Sequence, residues 1–415
     1  MHKFGEPGRG ERFNAMQVVE ALRSGVPSRY STRLLPDLRE ELTDKIKKDL
    51  EVFAAGRIPE GRIIWGEYGQ GKTHVLTAIE HIALDMGLAV SMISLSREVS
   101  GQRLDTFYAR AAQRIRTPDS SVYGIYNRLA SVSLSSLANT PMYEKKRYVH
   151  ELPVIVLEEF MASDPEEQEM LYSDLMGVRI AMPELKNIYR RNHGQPFPRL
   201  EQNFKPRDHM TAYLGLMADL IKFCGYKGWV ILIDELELMG RLGRQSRLAA
   251  YKNLYWLLNI GGEHEYPIYV VAAAASRLQS ELWYAERNND RDNIPEIAGV
   301  KLGEDWKKKM EYFFQWAVSE HNPTVKPVKK EKLLSLLKQV VDLYQAAYGK
   351  KLEVDLENIL ESLGETTVRT YIRGTLEVLD QLYLYGMYEV PQAEGLEETV
   401  WQEEDDFFSE EDLVL

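Results

Sequence analysis

Gly66-Glu67-Tyr68-Gly69-Gln70-Gly71-Lys72-Thr73 is a complete G-x-x-x-x-G-K-[ST] match, set between a short apolar run at Arg62 to Trp65 and a helical pattern from Thr73 to Met86 that closes at Gly87. A loop of this composition suits phosphate. Its glycines let successive backbone N–H groups converge on anionic oxygens where a Cβ would intrude, and the helix that follows points its positive end at the same anion. Lys72 is placed to reach the β and γ phosphates, and the Thr73 hydroxyl to ligate Mg²⁺. The candidate nucleotide-binding residues are Gly66, Gly69, Gln70, Gly71, Lys72, Thr73 and His74, with ATP and Mg²⁺ as expected cofactors. The competing reading, a chance glycine turn ahead of a helix, is weakened by the strand before it.

Further along, Trp229 to Ile233 is a buried-type strand that ends in Asp234 and Glu235. The reading sets this strand beside the phosphate-loop strand, so that Asp234 holds the metal through water and Glu235 orients or deprotonates the attacking water. Two solvated acids at a strand end are the alternative. Ser276, after the apolar run Tyr269 to Ala275, is a candidate sensor of the γ-phosphate; an ordinary helix cap before Arg277 to Trp283 explains it equally well. Cations that could stabilise charge in a transition state are Arg287 and Arg291, in the polar loop Glu286 to Asn293, and Arg369 and Arg373, one turn apart on a late helix.

Strand patterns at Arg62 to Trp65, Leu88 to Leu95, Trp229 to Ile233 and Ile268 to Ala273, with a weaker one at Glu296 to Leu302, alternate with helical patterns. That alternation predicts an α/β fold with a mostly parallel sheet covered by helices. Helices are expected over residues 14 to 24, 36 to 54, 245 to 260, 305 to 320, 330 to 348 and 366 to 385. The domain reading is a helical segment at 1–35, an ATPase domain at 36–303 carrying a helical insertion at about 101–225, a helical lid at 304–388 and an acidic tail at 389–415.

The chain has 415 residues, 44% apolar and 27% charged, in the range of folded globular proteins. Its net charge is −12, but ten acids lie in the last 22 residues and the rest carries only −2, so nucleic acid is not excluded as a partner. Basic and aromatic residues interleave from Lys186 to Arg207, including Tyr189, Arg190, Arg191, His193, Phe197, Arg199, Phe204 and Lys205. Such a stretch suits DNA, with cations on phosphates and rings for stacking; an ordinary cationic loop is the alternative. The tail mixes its acids with Trp401, Phe407 and Phe408, which reads as a segment that contacts a protein partner. One cysteine, Cys224, allows no internal disulfide, and no apolar run is long enough to cross a bilayer. A cytoplasmic protein without a membrane contact is expected.

The order of phosphate loop, Asp-Glu strand, sensor strand and carboxyl-terminal helices resembles the AAA+ superfamily, particularly its origin-recognition-like branch. Three passages look like the ATP-binding proteins of BREX bacteriophage-exclusion islands, of the BrxD type: Glu20 to Arg29, the phosphate loop, and Gly225 to Leu238. The resemblance implies an ATPase of anti-phage defence working beside a helicase, with an oligomeric form as one option. It implies Lys72 and Thr73 on phosphate and metal, Asp234 on the metal, Glu235 on the water, and Arg369 as a lid sensor. Asp234 lies 162 residues after Lys72, farther than in a compact AAA+ core, which implies the insertion. A different class of function, an ATP-bound adaptor with little hydrolysis that recruits a partner protein, fits the same residues.

Overall fold

The computed structural model describes residues 9–24, 35–132, 140–144 and 146–393. The tail from Glu394 onward and the Gly25 to Arg29 part of the first BREX-like passage lie outside the described residues. The first elements are α1 (Arg9–Arg23), α2 (Glu40–Ala54), β1 (Arg62–Gly66), α3 (Lys72–Asp85) and β2 (Ala89–Ser94). A helical stretch follows with α4 (Leu104–Gln113), α5 (Tyr126–Ala130), α6 (Leu152–Ala162), α7 (Pro165–Leu175), α8 (Met182–His193) and α9 (Pro206–Phe223). Next come β3 (Trp229–Asp234), α10 (Arg244–Leu257), β4 (Ile268–Ala275), α11 (Asp290–Leu302) and α12 (Glu304–Ala317). The chain continues into α13 (Lys330–Tyr348), α14 (Leu356–Leu363) and α15 (Val368–Tyr385).

The strands form a four-stranded sheet of order β1-β4-β3-β2, with β2, β3 and β4 running parallel. This is the α/β architecture read from the sequence, with two corrections. The reading set β3 against β1, whereas β4 lies between them. The eight residues of β4 are all buried, as suits a strand covered on both faces in the middle of a parallel sheet. A second correction concerns Glu296 to Leu302, which is the second half of α11 and not a strand. Ile294 and Ala298, one helical turn apart, are buried together while Val300 is 88% exposed, so the burial period is helical. Pro295 also has no N–H to give to a sheet ladder.

The described residues of 1–45, 65–81 and 324–411 form one compact unit, and those of 46–64 and 82–323 another. In the first, α1 packs on α13 and α15 through Ala15, Val18, Val19 and Leu22 against Leu336, Leu337, Val340 and Leu376. Arg23 donates two bonds to Asp380 at 2.8 and 2.9 Å, and the Tyr344 hydroxyl donates to the same carboxylate at 2.7 Å.

In the second unit, α9 buries most of its length and packs on α4 and β3. A buried polar network fastens the helices after β3. Arg247 donates to both oxygens of Asp290 at 2.7 and 2.8 Å, Tyr251 donates to Asp290 at 3.0 Å, and Trp283 Nε1 donates to the Tyr251 hydroxyl at 2.9 Å. Asp290 is fully buried, so Asp290→Ala would strand the Arg247 charge in a dry environment. Urea unfolding is expected to record a loss of about 3–5 kcal/mol for this variant. A loss under about 1 kcal/mol would mean that the pair adds little beyond packing.

Candidate nucleotide site

Gly66 ends β1 and α3 begins at Lys72, so the phosphate loop connects a sheet strand to a helix N-terminus. Gly69 (φ +73°) and Gly71 (φ +88°) adopt left-handed backbone that favours glycine. A Cβ on Gly69 would lie 2.9 Å from the Thr367 methyl, whereas one on Gly71 would meet nothing nearer than the His74 Cβ at 4.0 Å. The bend at Gly71 is therefore an open cradle, and its N–H groups and dipole fit an anion such as a nucleotide phosphate. Lys72 is 8% exposed, and its ammonium donates to the Gly66 and Glu67 carbonyls, both at 3.0 Å. The positive charge is thus folded back over the loop that it serves. Burial pushes the neighbouring His74 imidazole below its usual pKa, so the ring is neutral at pH 7.

Two residues of α15 and its cap border the same loop. Thr367 caps the helix by accepting the Thr370 N–H at 3.2 Å, and its methyl packs against Gly69. The Arg369 guanidinium carbon lies 5.8 Å from the centre of the Tyr68 ring. From the other side of the sequence, Arg39 donates to the Gln70 carbonyl at 3.2 Å.

The acidic pair belongs to the other unit. All of β3 is buried, Asp234 is its last residue, and the chain then turns sharply. Glu235 holds left-handed backbone at φ +57° and ψ +42°, strain of the kind found at functional sites. Its N–H donates to Asp234 Oδ1 at 3.0 Å, and its carboxylate accepts the Ser94 hydroxyl at 3.0 Å. Ser94 ends β2 directly opposite Asp234 in the sheet register. Glu237, nearly buried, accepts the Ala275 N–H at 2.9 Å and so ties the turn after β3 to the end of β4, beside Ser276. Ser276 is half-buried, and its carbonyl accepts the N–H groups of Gln279 and Ser280 ahead of a π-helical turn at Gln279–Trp283.

Of the sequence candidates, Lys72, Thr73, His74 and Arg369 thus lie in the first unit, and Asp234, Glu235 and Ser276 in the second. Arg287 is exposed in a turn, but Arg291 is not in a loop: it sits in the first turn of α11, 5.5 Å over the Tyr284 ring. Arg39, Ser94, Glu237 and Thr367 were not legible as site residues. Arg39, Ser94 and Thr367 belong to no motif, Glu237 stands in the Gly225 to Leu238 passage with no role assigned to it by the pattern, and Ser94 in particular gains meaning only through its register opposite Asp234.

The basic stretch also changes character. The Tyr189 ring lies 4.4 Å from His193 and 5.3 Å from Phe197, and Phe204 packs on His209 and Tyr213 under the Arg179 guanidinium. Its rings are engaged within the fold. Arg191 is ion-paired with Glu167, while Lys186, Arg190, Arg199, Lys205 and Arg207 are exposed.

A phosphate loop on β1 and a sheet of order β1-β4-β3-β2 define a P-loop α/β architecture. The family model of the BREX system ATP-binding proteins BrxC/D matches residues 11–132 and 206–279, and both the phosphate loop and the Asp234-Glu235 strand lie within those stretches. Over those stretches, just under half of its length, the chain is similar to these ATP-binding proteins. No curated protein matches it. A solved structure of the Aeropyrum pernix ORC2 protein, in ADPNP and ADP complexes, is 13% identical with a TM-score of 0.41, covering 87% of this chain and 67% of that one. Among the described residues, no helix is long and apolar enough to cross a membrane.

Proposed function

We propose that this chain hydrolyses ATP as a motor or switch subunit of a BREX-type anti-phage system, and that the phosphate loop and the Asp234–Glu235 pair serve one Mg²⁺-bound triphosphate. The observation that supports it most is the open cradle at Gly71 with Lys72 over it. The strained Glu235 at the end of a buried strand adds to it. Lys72 would neutralise phosphate charge, Thr73 and Asp234 would hold the metal, and Glu235 would orient and deprotonate water. Ser276 and Arg369 would respond to the γ-phosphate. Bound Mg²⁺ would supply charge neutralisation at the phosphate oxygens. Phosphate release from ATP with Mg²⁺, measured with and without DNA, tests this reading; no release under either condition favours the ATP-bound adaptor.

Within the same proposal, a helicase-like defence protein is the working partner, the tail beyond Glu394 contacts a protein, and the exposed cations of the 186–207 stretch meet DNA phosphates. With the rings engaged, that surface would act by charge alone. Charge reversal at Arg190 and Arg207 is expected to weaken DNA binding and flatten its salt dependence by about one unit of slope for each lost phosphate contact. An unchanged slope would remove this surface from the account.

A further inference from the structure

The phosphate loop is gripped from a direction that its motif does not include. Arg39, immediately before α2, sends its Nη2 to the Gln70 carbonyl oxygen at 3.2 Å, while its own backbone N–H is fixed on Asp37 Oδ1 at 2.7 Å. The guanidinium is half-buried, and its Nε–H is buried without a hydrogen-bond partner. Burial lowers the pKa of the group, and the charge of Asp37 offsets this only in part. A cation kept in so costly a setting has work to do there.

The geometry of the peptide unit indicates what that work is. The bond between Gln70 and Gly71 is trans and planar, so its N–H points opposite to its C=O. With the Gln70 oxygen held on Arg39, the Gly71 N–H is turned to the opposite side of the loop. This peptide turns about the Gln70 ψ and Gly71 φ angles, and the glycine at 71, in left-handed backbone, gives it freedom to flip, so something must choose its orientation. We propose that Arg39 is a positioning residue of the phosphate loop, which fixes the Gln70–Gly71 peptide so that the Gly71 N–H faces a bound phosphate. The inference rests on the reading that a nucleotide occupies this loop, and it assigns the effect of Arg39 to the phosphates rather than to the nucleoside.

The test is a titration of wild type, Arg39→Ala, Arg39→Lys and Lys72→Ala with ATP and with inorganic tripolyphosphate, both with Mg²⁺, alongside thermal unfolding without ligand. Arg39→Ala is expected to weaken both ligands to a similar extent, by about tenfold, the size of one hydrogen bond to a charged group. Its unfolding midpoint should stay near wild type, and Arg39→Lys should recover part of the affinity by reaching the same carbonyl. Unchanged affinity in Arg39→Ala overturns the proposal, as does a loss confined to ATP or one matched by a lowered midpoint. Loss of binding in Lys72→Ala beside unchanged binding in Arg39→Ala overturns this inference alone. Wild type that binds neither ligand, or Lys72→Ala that binds as wild type does, overturns the nucleotide reading with it.

Discussion

Lys72→Ala is expected to lower ATP affinity by about 10²–10⁴, because in the proposed site the ammonium would make charge-assisted bonds to two phosphates, each contributing about 1.5–3 kcal/mol. Its bonds to the Gly66 and Glu67 carbonyls, both at 3.0 Å, already keep it within its own loop. Alanine keeps the helix N-terminus and the glycine bends, so the fold should persist and the loss should be one of binding. Calorimetric titration with MgATP reads the effect directly. An affinity within threefold of wild type would mean that phosphate is not held at this loop.

Glu235→Gln is expected to do the reverse: to leave ATP affinity within a few-fold of wild type and to lower turnover by about 10²–10⁴, the range spanned by a general base. Glutamine has the same shape and its amide oxygen can still accept the Ser94 hydroxyl, so the strained turn after β3 keeps its support. What it lacks is the capacity to take a proton from water. Steady-state phosphate release together with nucleotide titration separates the two effects. Equal turnover in both proteins would reject Glu235 as the base; a matching loss of affinity would assign it to binding instead.

Local features were readable in the chain and relations between distant segments were not. The phosphate loop announces itself because its glycines and Lys72 are contiguous. The limits of α13 follow from its apolar spacing and from Gly349, whose φ of +70° ends the helix. The sheet order could not be read the same way, since nothing in Ile268–Ala275 alone says that β4 returns between β1 and β3. Pro165 and Pro206 open α7 and α9, where a missing N–H costs nothing in the first turn, so a proline alone does not say whether a helix stops or starts. In the 186–207 stretch, composition gives the number of aromatic rings but not the partners that they take within the fold. Arg39 cannot be read from the sequence, because its contact is with a main-chain oxygen, which no side-chain pattern records.

A crystal structure with Mg²⁺ and a non-hydrolysable ATP analogue tests the central claim most directly. The account predicts one triphosphate in the cradle formed by Gly69 to Thr73, with a single metal shared by the Thr73 hydroxyl and the Asp234 carboxylate and with Glu235 beside the γ-phosphate. A nucleotide bound elsewhere, or a metal held in that cradle without Asp234, would contradict it.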